Sequence, residues 1–129
     1  MRSTVLITDA NKYGEIQHQD VFVFWKDRLT IAELIQERVC QEVEMYNQLK
    51  PAHYTGLVQP YTSKRNRNEQ RLPKRLDMEK QCTIALQAFQ NNGLSILVNE
   101  EPVAGLDTEI QLNYDTEIAF MTYVPLIGG

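Results

Sequence analysis

Cysteine, histidine and tryptophan are scarce in this chain, with 2, 2 and 1 copies among 129 residues. Two cysteines cannot build a disulfide framework. Cys40 and Cys82 both fall in stretches of helical periodicity, so they read as reduced, half-buried thiols. There is no CxxC pair, and His18 and His53 stand apart, which argues against structural zinc. Neither histidine has a serine, cysteine or paired carboxylate at useful spacing, so catalysis finds no candidate residues. No apolar run approaches a membrane span. The opening Met1-Arg2-Ser3-Thr4-Val5 turns directly into a strand, without the layout of a signal peptide. A cytoplasmic protein is expected. Positive charge is also short: 13 Lys and Arg face 17 Asp and Glu, for a net charge of -4. An acidic chain is a poor partner for nucleic acid. Internal repeats and low-complexity tracts are absent.

Hydrophobic residues make up 43% of the sequence, enough for a core, and the length suits a single domain over 1–129. Thr4 to Thr8 is a β-branched strand. Asp9 to Gly14 is turn chemistry, and Ile16 to Trp25 is a second strand, giving a hairpin. Phe22 and Phe24 share one face, while Val21, Val23 and Trp25 share the other. Trp25, Phe22, Phe24 and Phe120 all read as core. Thr30 and Glu33 form a capping box with Leu29 and Leu34 as its hydrophobic staple. The helix that follows carries Ile31, Leu34, Ile35, Val39, Val43 and Tyr46 on one stripe and ends near Gln48, ahead of Pro51. Glu33, Gln36, Glu37, Arg38, Gln41 and Glu44 are assigned to its outer side.

Residues 50–76 change character. They hold three prolines and six cations between 64 and 75, opposed by Glu69 alone, so that segment carries +5 and the rest of the chain -9. It reads as a long, mobile loop. Its basic cluster, including Lys64, Arg65, Arg67 and Arg71, is a candidate contact for an acidic partner, with a solvated excursion as the plainer reading. Asp77 caps a second helix over 78–91, stopped by Asn91-Asn92-Gly93. Leu94 to Val98 is a strand, and Leu106 to Leu112 is irregular or a short edge strand. The last strand, through Ile118, Phe120 and Thr122, runs to Pro125, which ends the pairing and releases the tail Leu126-Ile127-Gly128-Gly129. A hairpin, a crossing helix, and two more strands form an α+β layout. It is a mixed four- or five-stranded sheet packed on one helix, its first and last strands parallel at the centre.

This order, with Ile96-Leu97-Val98-Asn99-Glu100-Glu101-Pro102-Val103, then Asp107 to Leu112, then Asp115 to Phe120 and the terminal Gly-Gly, resembles the β-grasp fold of ubiquitin-like proteins. It is similar both to prokaryotic ubiquitin-like modifiers and to sulfur carriers such as the small subunit of molybdopterin synthase. The likeness covers roughly 1–48 by topology and 94–129 by motif. Residues 50–92 are an insertion, with an added loop and second helix. Glu100 stands where the pattern has glycine, and Val124-Pro125-Leu126-Ile127 replaces a double proline with small residues.

The resemblance implies that the protein is a substrate rather than a catalyst and binds no cofactor of its own. A partner adenylating enzyme of the ubiquitin-activating kind would charge Gly129 with ATP, presented through Gly128 and met along Pro125, Leu126 and Ile127. Transfer to target lysines, with a conjugating enzyme, makes it a modifier. Attack by sulfide instead makes it a carrier with a C-terminal thiocarboxylate. A non-covalent β-grasp binding module is the alternative from another class.

Overall fold

Strand, cap and turn signals place eleven elements in the computed structural model, which describes residues 2–49, 54–60, 63–66, 69–71 and 75–128. Side chains of 63–66 and 69–71 fall outside that description, as do His53, Arg67, Lys74 and Gly129 altogether. In chain order they are β1 (Ser3–Asn11), β2 (Ile16–Phe24), β3 (Arg28–Thr30), α1 (Ile31–Leu49), β4 (Ser63–Asn66), β5 (Glu69–Arg71), α2 (Met78–Gln90), β6 (Leu94–Val98), β7 (Glu101–Pro102), β8 (Glu109–Gln111) and β9 (Glu117–Thr122). The main sheet has the order β2-β1-β9-β6-β7, with β1 and β9 parallel at its centre and the other neighbours antiparallel. Two-stranded pairs β3–β8 and β4–β5 stand outside it. This is the α+β arrangement of a β-grasp-like fold.

Alternation sends Val5, Ile7, Phe22, Phe24, Leu94, Ile96, Ile118 and Phe120 inward, where they meet Ile31, Leu34, Ile35, Val39 and Val43 of α1. The expected stripe and staple are therefore the buried face. The capping box forms as read: the Thr30 amide donates to Glu33 Oε1 at 3.0 Å, and the Glu33 amide donates to Thr30 Oγ1 at 3.1 Å. The next free donors of α1 are met from outside, Ile31 N–H by the Thr108 carbonyl and Ala32 N–H by the Leu106 carbonyl. That contact anchors the irregular 106–108 stretch to the helix end. Asp77 caps α2 by accepting from the Lys80 amide at 3.1 Å, and Gly93 N–H closes the helix onto the Ala88 carbonyl. α2 packs against α1 and β6. Among the described residues, no helix is long and apolar enough to cross a membrane.

Three expectations need correction. Trp25 is not core: it is 70% exposed, on the outward side of the strand that buries Phe24, with the Arg2 guanidinium 5.9 Å from its ring centre. Asp9 belongs to β1 rather than to the turn, which is made by Lys12 and Tyr13. There Asn11 Oδ1 accepts from the Tyr13 and Glu15 amides. The stretch from 50 to 76, expected to be a long, mobile loop, contributes to the core. Leu57, Val58 and Leu76 are buried in the core, and Asn47 of α1 grips Leu76 through both its backbone N–H and C=O. β4 and β5 pair as a short antiparallel hairpin. Three scattered apolar residues leave no periodicity to read, and their burial depends on partners far away in sequence.

The β6–β7 hairpin turns on Asn99 and Glu100, with φ of +49° and +71°. Both central residues of such a turn sit in the left-handed region, which suits Asn-Gly and strains glutamate. Glu100→Gly is expected to raise stability by about 1 kcal/mol, a rise in Tm of about 3–5 °C by calorimetry. An unchanged or lower Tm would show that the turn carries no strain.

Glu33 also sets an acid response. A hydrogen bond from Lys26, then bonds from the Thr30 amide and hydroxyl, pull its pKa from 4.5 to about 2. A carboxylate lowered on folding stabilises above its unfolded pKa and loses that contribution as pH falls toward the folded one. The loss therefore spans pH 4.5 down to about 2. Glu33→Gln should flatten the stability profile in that window, measured by urea unfolding at several pH values. Identical profiles for the two proteins would refute the assignment.

Candidate functional site

α1 places one cation in the middle of its apolar stripe. Arg38 lies four residues after Leu34 and three after Ile35, so its Cβ faces the sheet. It is fully buried, which overturns its assignment to the outer side of the helix. The reason is pairing. Its two terminal nitrogens each donate to Asp9 of β1 at 2.6 Å, and Nε and Nη2 donate to Glu42 at 3.3 and 3.2 Å. The guanidinium also lies 4.5 Å from the Phe120 ring centre and 5.5 Å from that of Phe22. Burial opposes the Arg38 charge, but Glu42 and Asp9 outweigh it and hold its pKa above the ordinary value. Burial pushes the Glu42 carboxyl upward, against the pull of Arg38 and of a backbone bond.

That backbone bond leads out of the core. Glu42 Oε1 accepts from the Leu57 amide at 3.0 Å, which fixes residues 54–60 of the insertion against α1. Tyr54 adds an edge-to-face contact with Tyr46 at 5.2 Å. Two residues past Leu57, Gln59 meets the C-terminal tail. Its N–H donates to the Leu126 carbonyl at 2.7 Å, and its carbonyl accepts from Gly128 N–H at 2.9 Å. Gln59 and Ile127 thus form an isolated parallel bridge.

α2 closes the other side. Gln81 is fully buried, and its Nε2 donates to the Gly128 carbonyl at 2.7 Å. Among the described residues, Gln81 Oε1 has no hydrogen-bond partner. Gly128 has φ of +155°, and a Cβ built there would run into Ile84 Cδ1 of α2. Leu126 is buried in the core cluster with Leu57 and Val58, whereas Pro125 and Ile127 are exposed.

The tail expected to hang free is therefore docked as far as Gly128. Pro125 does follow the end of β9, but Gln59 then offers a fresh backbone donor and acceptor, and the chain takes both. Gly129 lies outside the described residues. Lys64, Arg65 and Arg71 fall on the β4–β5 hairpin by backbone, and Arg67 lies outside the description. Sequence reading found the tail and missed Gln59, Gln81 and Arg38. A signal existed for two of them: Gln81 sits four residues before Ala85, and Arg38 four after Leu34, both polar residues at apolar-stripe positions.

Docking is weak enough to reverse. The three hydrogen bonds are worth about 0.5–1.5 kcal/mol each, and burying Leu126 adds about 1.5–3 kcal/mol. Ordering the four residues from Pro125 to Gly128 costs about 1–2 kcal/mol each. The two sides agree to within a few kcal/mol.

Comparison with protein-family models, with curated proteins and with solved structures gives no match for this chain.

Arg38→Met strands two carboxylates, and breaking a buried pair this way costs about 3–5 kcal/mol. Arg38→Lys should recover little of that, since an ammonium cannot make the two-pronged contact with Asp9. Chemical denaturation measures both. Near-wild-type stability of Arg38→Met would show that the buried pairing is dispensable.

Proposed function

We propose that this chain is a ubiquitin-like protein modifier whose Gly129 carboxylate is adenylated by a partner enzyme and then joined to lysines of target proteins. The observation that carries the reading is the route of the C-terminus. A strand at the centre of a β-grasp-like sheet runs directly into a tail ending in Gly128-Gly129, which Gln59 and Gln81 hold through Leu126 and Gly128. The chain supplies the acyl group, and the chemistry belongs to its partner.

A carboxylate is a poor acyl donor at neutral pH. Attack of a Gly129 carboxylate oxygen on the α-phosphorus of ATP expels pyrophosphate and leaves an acyl adenylate. A thiol or amine then adds to the carbonyl, AMP departs, and a lysine amine that forms the final amide gives up a proton. Splitting one hard step into two easier ones is the logic of covalent catalysis. Two terminal glycines keep the tail slim enough to thread toward the nucleotide. The reaction draws on ATP, which suits a cytoplasmic setting. Pro125 and Ile127, exposed on the tail, are positioned for contact with the activating enzyme.

A sulfur carrier would use the same activated tail, with sulfide in place of the amine. The insertion favours the modifier: a carrier needs the sheet and tail, whereas this chain adds a second helix and a β4–β5 hairpin, extra surface suited to choosing partners.

The test is ATP–pyrophosphate exchange with an adenylating enzyme from the same host. Exchange should depend on this chain and fall to background with Gly129→Ala or with residues appended after Gly129, while Tm stays unchanged. Full exchange with either altered terminus would rule the proposal out.

A further inference from the structure

The residues that hold the tail come from the part of the chain a minimal β-grasp lacks. Gln59 lies in the 54–60 segment, and Gln81 and Ile84 lie on α2, all inside the 50–92 insertion. Together they form a slot with a defined occupant. One wall offers a backbone donor and acceptor spaced for residues 126 and 128 of a parallel strand. The other offers a carboxamide donor to the Gly128 carbonyl and an aliphatic side chain that a Cβ at 128 would strike. The ligand class is an extended chain whose penultimate residue is glycine, and this protein's own C-terminus sits in place.

We propose that the insertion is a latch for the C-terminal tail: it binds Leu126 to Gly128 in a protected state, and the tail must leave the slot before Gly129 can be activated. With Gly128 N–H and C=O engaged on opposite sides, the tail is bonded across its width and cannot be threaded into another protein. Release frees both groups and exposes Leu126, an added apolar contact for a partner. The buried Gln81 carboxamide makes the latch reversible. Its Nε2 is satisfied by docking, whereas its Oε1 is buried with no partner among the described residues, an unmet desolvation cost inside the slot. A fully satisfied slot would hold the tail more firmly. The gating claim rests on the function proposed above, whereas the docking claim does not.

Two variants open the slot by different routes. Gln81→Leu removes the carboxamide from α2, and Gln59→Pro removes the N–H that holds Leu126. Hydrogen exchange of the Gly128 amide, followed by NMR, reports docking in the isolated chain. In the wild type that amide should exchange at least about tenfold more slowly than in a flexible peptide. In both variants it should approach the peptide rate while Ile7 and Ile118 amides keep their protection. An unprotected Gly128 in the wild type overturns docking, as does unchanged protection in folded variants. If Gln81→Leu also loses protection at Ile118, Gln59→Pro, at an exposed position, carries the comparison.

Pyrophosphate exchange with the adenylating enzyme then tests the gate, with a rate increase of severalfold expected in the released variants. Equal rates despite a freed Gly128 would overturn gating. If no form of the chain supports exchange but Gly128 protection responds as expected, the latch stands and the modifier reading fails.

Discussion

The contact between Arg38 and its two carboxylates joins every layer of this protein. Asp9 belongs to the central strand β1, Arg38 and Glu42 to α1, and the second oxygen of Glu42 holds the Leu57 amide of the insertion. A buried cation is costly to desolvate and is tolerated only where nearly every donor is met. Here the guanidinium lies between Phe22 and Phe120 and spends its hydrogen bonds on the two acids. The geometry is demanding, so the interaction fixes how helix, sheet and insertion sit together more than it adds to net stability. An apolar residue at 38 would fill the space but leave Glu42, the acceptor for the Leu57 amide, without the cation that fixes its position.

From that point the structure runs outward in a short series of dependencies. Leu57 positions Gln59, Gln59 pairs with Leu126 and Gly128, and α2 completes the slot through Gln81 and Ile84. The tail thus belongs to two environments. As part of this fold, Gly128 is glycine because its φ of +155° strains any side chain, and a Cβ there would also push Ile84 Cδ1 aside. In the proposed modifier the same position would be glycine so that the tail stays slim for an activating enzyme. Both demands would act on one position.

Much of the fold was legible in sequence because its signals are local. Thr30, Glu33, Leu29 and Leu34 announced α1, Asp77 announced α2, and the alternation around Phe22, Phe24, Ile118 and Phe120 announced the strands, though not which face of β2 is inward, since Trp25 was also read as core. What stayed hidden depends on distant partners. Arg38 was assigned by residue type and Gln81 was passed over, although their spacing placed both on buried stripes. A polar side chain at such a position is a sign of a buried partner, not of an outer face. Asp9 resembled a turn residue because its partner lies twenty-nine positions away. Leu57, Val58 and Leu76 sit in a segment dominated by prolines and cations, where no period marks them. The candidate site was half visible: the glycine terminus is written in the sequence, but its cradle exists only once the insertion folds back across α1.

The central claim concerns one bond, that between the Gly129 carbonyl and an amine of another protein. Tandem mass spectrometry of chymotryptic digests from the native host measures it directly, since cleavage after Tyr123 leaves the chain's last residues as a short branch on any lysine joined to it. The expected result is branched lysines on other proteins that vanish when the gene for the adenylating enzyme is deleted. A thiocarboxylate at Gly129 without branched peptides would make the chain a sulfur carrier, and a free Gly129 carboxylate in every recovered molecule would contradict activation altogether.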